Sequence, residues 1–138
     1  MKYSEIYRDW KENPIEFWKK NAEDVSWIKF PEKILKKKSD YFYEWFSDSV
    51  MNTCYNAVDK NILEGRGDQV AIYYDSPITN SKSKLTYNEL KFKVEEFAGA
   101  LNKYNISKGD RVIVYMPMIP EAIIAVLAIA RIGAVHSV

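Results

Sequence analysis

The stretch KGDRVIVYMPMIPEAIIAVLAIARIGAVHSV, residues 108–138, decides the fold. Val112, Ile113, Val114 and Tyr115 form an uninterrupted apolar run, the pattern of a short strand covered on both faces. Pro117 has no N–H to give to a ladder, so the strand 111–116 ends there. Pro120 suits the first turn of a helix, and Glu121 complements the positive end of its dipole. The helix that follows, 121–132, is apolar nearly all round (AIIAVLAIARI) and must be buried. Gly133 supplies its stop, and residues 134–138 begin another strand. Strand, helix and strand in this order make a βαβ crossover, which requires a parallel sheet with helices on its faces. So few strands cannot complete such a sheet, and the pattern predicts that the chain is truncated within a larger one. The turn 116–120 then lies where parallel sheets form ligand crevices, at the carboxyl ends of the strands.

Upstream, GRGDQVAIYYDSP predicts a strand over 68–75, and SPITNSKSK a loop before a second strand around Leu85. Arg66-Gly67-Asp68 reads as part of a turn rather than as an adhesion string. Thr86-Tyr87-Asn88-Glu89 is a capping box: the Thr hydroxyl and Glu carboxylate satisfy free N–H groups at a helix start. The helix should bury Leu90, Val94, Phe97, Ala98 and Leu101, end near Tyr104, and turn at Lys108-Gly109-Asp110 into the strand above.

Residues 1–64 are irregular and aromatic. Residues 4–11 predict a short helix, and Asn13-Pro14 a cap and first turn for a second one through PIEFWKKNAED. KILKKKSD is lysine-rich; it has the composition of a solvated loop, with attraction for phosphate groups as the lesser alternative. NTCYNAVDKNILEG places Cys54, Tyr55, Val58 and Ile62 along one helical stripe ending at Gly65. Cys54, with no basic partner in view, is predicted to be a small core residue and not a nucleophile.

Composition bounds the rest. The 138 residues are 47% hydrophobic and 28% charged, a globular balance. Twenty basic and nineteen acidic residues, net +1, argue against a nucleic-acid binder. One Cys and one His exclude an internal disulfide and make a His/Cys metal site untenable. Residues 1–13 lack the apolar core of a secretory signal, and their acids Glu5, Asp9 and Glu12 are foreign to transit peptides. The longest apolar run, 122–130, is far short of the roughly 20 residues that span a bilayer. A cytoplasmic protein without membrane or nucleic-acid partners is expected.

The last thirty residues closely resemble the AMP-forming short-chain acyl-CoA synthetases, the acetyl- and propionyl-CoA synthetases. So do YNAVDKNI, GRGDQVAIYYDSPIT and LTYNELKFKVEEFAGALNKYNISKGDRV, of which YDSP is closest to the propionyl branch. Two departures stand out: WFSDSVMN replaces a glycine-containing turn, and Ile129 stands where the family often has Cys. The resemblance implies an N-terminal domain over 1–64 and the incomplete start of an adenylate-forming domain over 65–138. It implies acyl-adenylate chemistry with ATP, CoA and Mg²⁺ on a small carboxylate, acetate or propionate. The family's phosphate-binding loop, adenylate-binding Asp and catalytic Lys have no counterpart in residues 1–138, so no catalytic, cofactor-binding or metal-ligating residue is assigned here. The chain by itself is expected to be inactive. His136 reads as a strand residue near the CoA side, not as a base. Two readings from other classes stay open: a stand-alone interaction or regulatory module, and an inactive paralogue that pairs with a full-length synthetase. Self-association of the short chain is a further expectation.

Overall fold

A computed structural model describes residues 2–138. The chain divides after Met51 into two compact units, so the helical segment that follows Asn52 packs with the second.

The first unit begins with α1 (Tyr3–Glu12) and α2 (Pro14–Ala22), the latter opened by Pro14 as its sequence requires. Asn13 does not act as expected. Its side chain makes no cap bond; its backbone N–H closes α1 by donating to the carbonyl of Asp9, and its own carbonyl accepts the amide of Phe17. Two antiparallel ribbons follow: β1 (Trp27–Lys29) with β4 (Val50–Met51), and β2 (Leu35–Ser39) with β3 (Phe42–Trp45). The lysine-rich stretch is thus a strand and not a loop. Leu35 lies opposite Trp45, Lys36 opposite Glu44 and Lys37 opposite Tyr43, so the lysines lay aliphatic stems along a partner strand and keep their charges in water. Lys37 pairs with Asp40 at 3.0 Å, and Lys38 with Glu44. Rings supply much of the cohesion: Trp18 meets Trp45 at 5.7 Å and Trp27 meets Phe46 at 5.4 Å. The Trp27 indole also donates to the carbonyl of Ala22 at 2.7 Å.

The second unit opens with a helical segment, residues 53–66, that contains two π-helical turns, Tyr55–Asp59 and Ile62–Arg66. The α-register expected there widens at these turns, the amide of Lys60 donating to the carbonyl of Tyr55. The side-chain amides of Asn56 and Asn61 donate to the carbonyls of Asn52 and Ala57, at 3.1 and 2.8 Å, and the carbonyl of Asn52 also keeps the backbone amide of Asn56 at 3.2 Å. Cys54 and Val58 still face the core, with no exposed surface, while Tyr55 stays half exposed. Gly65, with φ at +83°, ends the segment as its sequence predicts.

β5 (Val70–Ser76) and β6 (Ser81–Thr86) form one hairpin. The expected loop 76–84 shrinks to a turn. Asn80 takes a positive φ of 49°, and Lys82 pairs with Asp75 at 2.6 Å across strands that register down to Ser76 opposite Ser81. The capping box opens α3 (Tyr87–Lys103) as read from the sequence: the amide of Glu89 donates to the Thr86 hydroxyl at 3.2 Å, and the amide of Thr86 to Glu89 at 2.8 Å. Asn88, beside this cap, fills the space next to Gly67, where a Cβ would come within 2.7 Å of the Asn88 amide nitrogen. Leu90, Val94, Ala98 and Leu101 are buried. Phe97, at the edge of the same stripe, is not buried as expected and is 41% exposed.

β7 (Arg111–Ile113), α4 (Pro120–Arg131) and β8 (Val135–Ser137) form the βαβ crossover, with Arg111, Val112 and Ile113 opposite Val135, His136 and Ser137 in a parallel ladder. The strand is shorter than expected, and only one face is covered among the described residues. Val114 is buried, whereas Ile113 is 81% exposed. α4 buries Ile124, Ala125, Ala128 and Ile129 against α3 and the 53–66 segment, completing one core.

The cap makes a clean test. The Thr86 amide and hydroxyl hold the Glu89 carboxyl below its ordinary range. A lowered folded pKa contributes stability above the unfolded value and loses it as pH falls through the folded one. Thr86→Ala should therefore cost about 0.5–2 kcal/mol at neutral pH, read from the denaturant midpoint. The difference should narrow as acid protonates Glu89. Matching midpoints at pH 7 would deny Thr86 its cap.

Candidate functional site

The carboxyl ends of β7 and β8 open onto the turn that carries the two prolines. Val114 extends the ladder by donating its amide to Ser137 at 2.8 Å, and the pairing then stops because Pro117 has no N–H. Tyr115, Met116 and Pro117 line a shallow concavity here, with Tyr115 fully exposed and Met118 nearly so. Ile119 donates to the carbonyl of Pro117 at 2.9 Å, and Pro120 starts α4. His136 lies opposite Val112 on β8, exposed. The turn and His136 are thus the residues at the strand ends where open parallel sheets hold ligands. Among the described residues no group of three His, Cys, Asp or Glu side chains is placed to hold a metal ion. No helix there is long and apolar enough to cross a membrane.

A second constellation, invisible to the sequence reading, gathers at the other end of α4. The guanidinium of Arg131 grips Asp59 with Nη2 3.0 Å from both carboxylate oxygens, and reaches Glu95 of α3 at 3.5 Å. Lys91 holds Glu95 in turn at 2.5 Å. Asn52 works at the same place with both ends of its amide. Its Nδ2 donates to the final carbonyls of α4, at 2.9 Å to Arg131 and 3.5 Å to Ala130, while its Oδ1 accepts the amide of Tyr55 at 3.0 Å. One side chain thereby closes the end of one helix and the start of another. The only sequence signal was a solitary arginine in an otherwise apolar helix, which had to find an acid.

Cys54 is enclosed beside this cluster. Burial pushes its thiol pKa up, and the positive charge of Arg131 opposes that shift only in part. The thiol stays protonated at neutral pH, consistent with the core role expected of it and not with a nucleophile.

Comparison with known proteins now adds to the geometry. Residues 59–138, more than half of the chain, match the model of the AMP-binding enzymes. The chain belongs to this family. Residues 3–57 match the acetyl-coenzyme A synthetase N-terminus. Acyl-CoA synthetase short-chain family member 3, mitochondrial, from Homo sapiens is 50% identical over 125 residues, covering 91% of this chain and 18% of that protein. Acetyl-coenzyme A synthetase from Streptomyces coelicolor is 44% identical over 135 residues, covering 98% of this chain and 21% of that protein. The solved acetoacetyl-CoA synthetase from Streptomyces lividans superposes with a TM-score of 0.85 at 28% identity, over 99% of this chain and 21% of its own. The fold is therefore that of the amino-terminal part of an adenylate-forming enzyme. The chain spans about a fifth of the length of the curated relatives it matches.

Cys54 gives this member of the family a chemical handle. A thiol-specific chromogenic disulfide should react slowly with the native chain and at full speed in denaturant. Equal rates in the two conditions would place the thiol at the surface.

Proposed function

We propose that the protein carrying these 138 residues is an AMP-forming short-chain acyl-CoA synthetase of the propionyl branch, with residues 1–64 as its accessory domain and 65–138 as the opening of its adenylate-forming domain. A carboxylate oxygen attacks the α-phosphorus of ATP and expels pyrophosphate. The thiol of CoA then attacks the acyl carbon, and AMP leaves with the bonding pair of the broken acyl–phosphate bond. The observation that carries this reading is the parallel β7–α4–β8 crossover in a chain that superposes over almost its whole length on an acyl-CoA-forming enzyme. In this reading the Mg²⁺, ATP and CoA contacts belong to residues beyond Val138, and residues 1–138 provide scaffold. The proposed location is cytoplasmic.

Carboxylate-dependent exchange of labelled pyrophosphate into ATP tests the proposal. The full-length protein should catalyse it with propionate or acetate, and the 138-residue chain should not. Exchange by the short chain would move the nucleotide site into residues 1–138; none by the full-length protein with any short carboxylate would remove the activity.

A second reading follows from the uncovered side of the crossover. Ile113, Tyr115, Met118 and Val138 are all more than 80% exposed, and each large apolar side chain that finds cover gains about 1.5–3 kcal/mol. The isolated chain should therefore pair with a second copy through the β7–β8 edge and this face. Light scattering at micromolar concentration should give a mass above 16.1 kDa. A monodisperse monomer with strongly protected amides over 111–138 would contradict it.

A further inference from the structure

The two ends of α4 are held in different ways. At its amino end Ile119 occupies the cap position and offers no side-chain bond, and Pro120 has no N–H. At its carboxyl end Asn52 binds two carbonyls and Asp59 binds the Arg131 guanidinium by a fork. Between them the helix packs through Ile124, Ala125, Ala128 and Ile129, a surface half of which is alanine. Apolar contact of that kind is non-directional and resists axial slip weakly, whereas hydrogen bonds fix both distance and direction. The polar groups that set where α4 stands along its own axis are therefore at the end remote from the strand termini. A helix of 12 residues carries that setting about 18 Å to the Tyr115–Ile119 turn.

We infer that Asn52, Asp59 and Arg131 are positioning residues for the turn at the opposite end of α4, a scaffold turn whose place beside a ligand crevice rests on the function proposed above. None of the three touches the turn. They act through the helix, as a clamp on its tail that aims its head.

Asn52→Asp in the full-length protein separates this from a merely local role. The aspartate still accepts the amide of Tyr55, but it has no donor for the carbonyls of Ala130 and Arg131 and sets a negative charge against them. Arg131→Lys is the second variant, keeping the charge and losing the fork. Hydrogen exchange should quicken about two- to tenfold at amides of residues 114–124 in both variants, with residues 70–76 of β5 unchanged. The KM for one substrate of the exchange reaction should rise by a similar factor. Acceleration confined to residues 128–133, or spread evenly over the unit, would overturn the inference, as would no acceleration in either variant. If the turn loosens as expected while the wild-type protein exchanges no pyrophosphate, the positioning role stands and the proposed activity falls.

Discussion

The second unit is organised by the burial of one helix. Ile129 and Ala128 of α4, Val94 of α3 and Val58 of the π-helical segment have no solvent-exposed surface and meet in one cluster. α4 is apolar on most sides but covered on one, and Ile123 stays 44% exposed. α3 packs along it, Arg131 reaches Asp59 of the 53–66 segment, and the parallel pair β7–β8 is the pair of strands that α4 itself joins. A crossover between parallel strands needs such a helix, and right-handed chain chirality leaves it one side of the sheet on which to pack. The charged clamp at Arg131 is a consequence of this burial. An arginine in the last turn of a core helix must be met by acceptors, and Asp59 and Glu95 meet it from the two neighbouring elements.

The sequence disclosed this part of the fold because period and punctuation agreed there. Two prolines, a glycine and an unbroken apolar run leave few alternatives to strand, turn, helix and strand. The capping box at Thr86 and Glu89 was equally legible, being an interaction between residues three apart. Reading failed where the deciding interaction leaves no trace in apolar periodicity. The lysines of β2 look like solvent-facing loop until Tyr43 and Trp45 are known to lie across from them. The π-helical turns at Tyr55–Asp59 and Ile62–Arg66 leave no mark in the apolar periodicity. The expectation that Ile113 would be covered on its outer face followed from its apolar neighbours; among the described residues it has no such cover.

The candidate site was legible as a place and not as a set of groups. The turn 116–120 and His136 lie at the carboxyl ends of the parallel strands, where the chain order alone puts them. The clamp was illegible, since nothing local marks Asn52 or Asp59 as partners of a residue more than seventy positions away.

The double bond that Asn52 makes also sets a timetable. The β2–β3 ribbon of the first unit pairs residues that leave the ribosome almost together. Asn52 and its acceptor Arg131 are 79 residues apart, and Asp59 and Arg131 are 72 apart. At about 5–20 residues per second of synthesis, Asn52 waits roughly 4–16 s for the carbonyl it will bind. Within that interval Cys54, Val58 and then Val94 appear without the helix that will seal them. The nascent chain thus passes through a stage in which its first ribbons can be complete while its main core is still open to water and to chaperones.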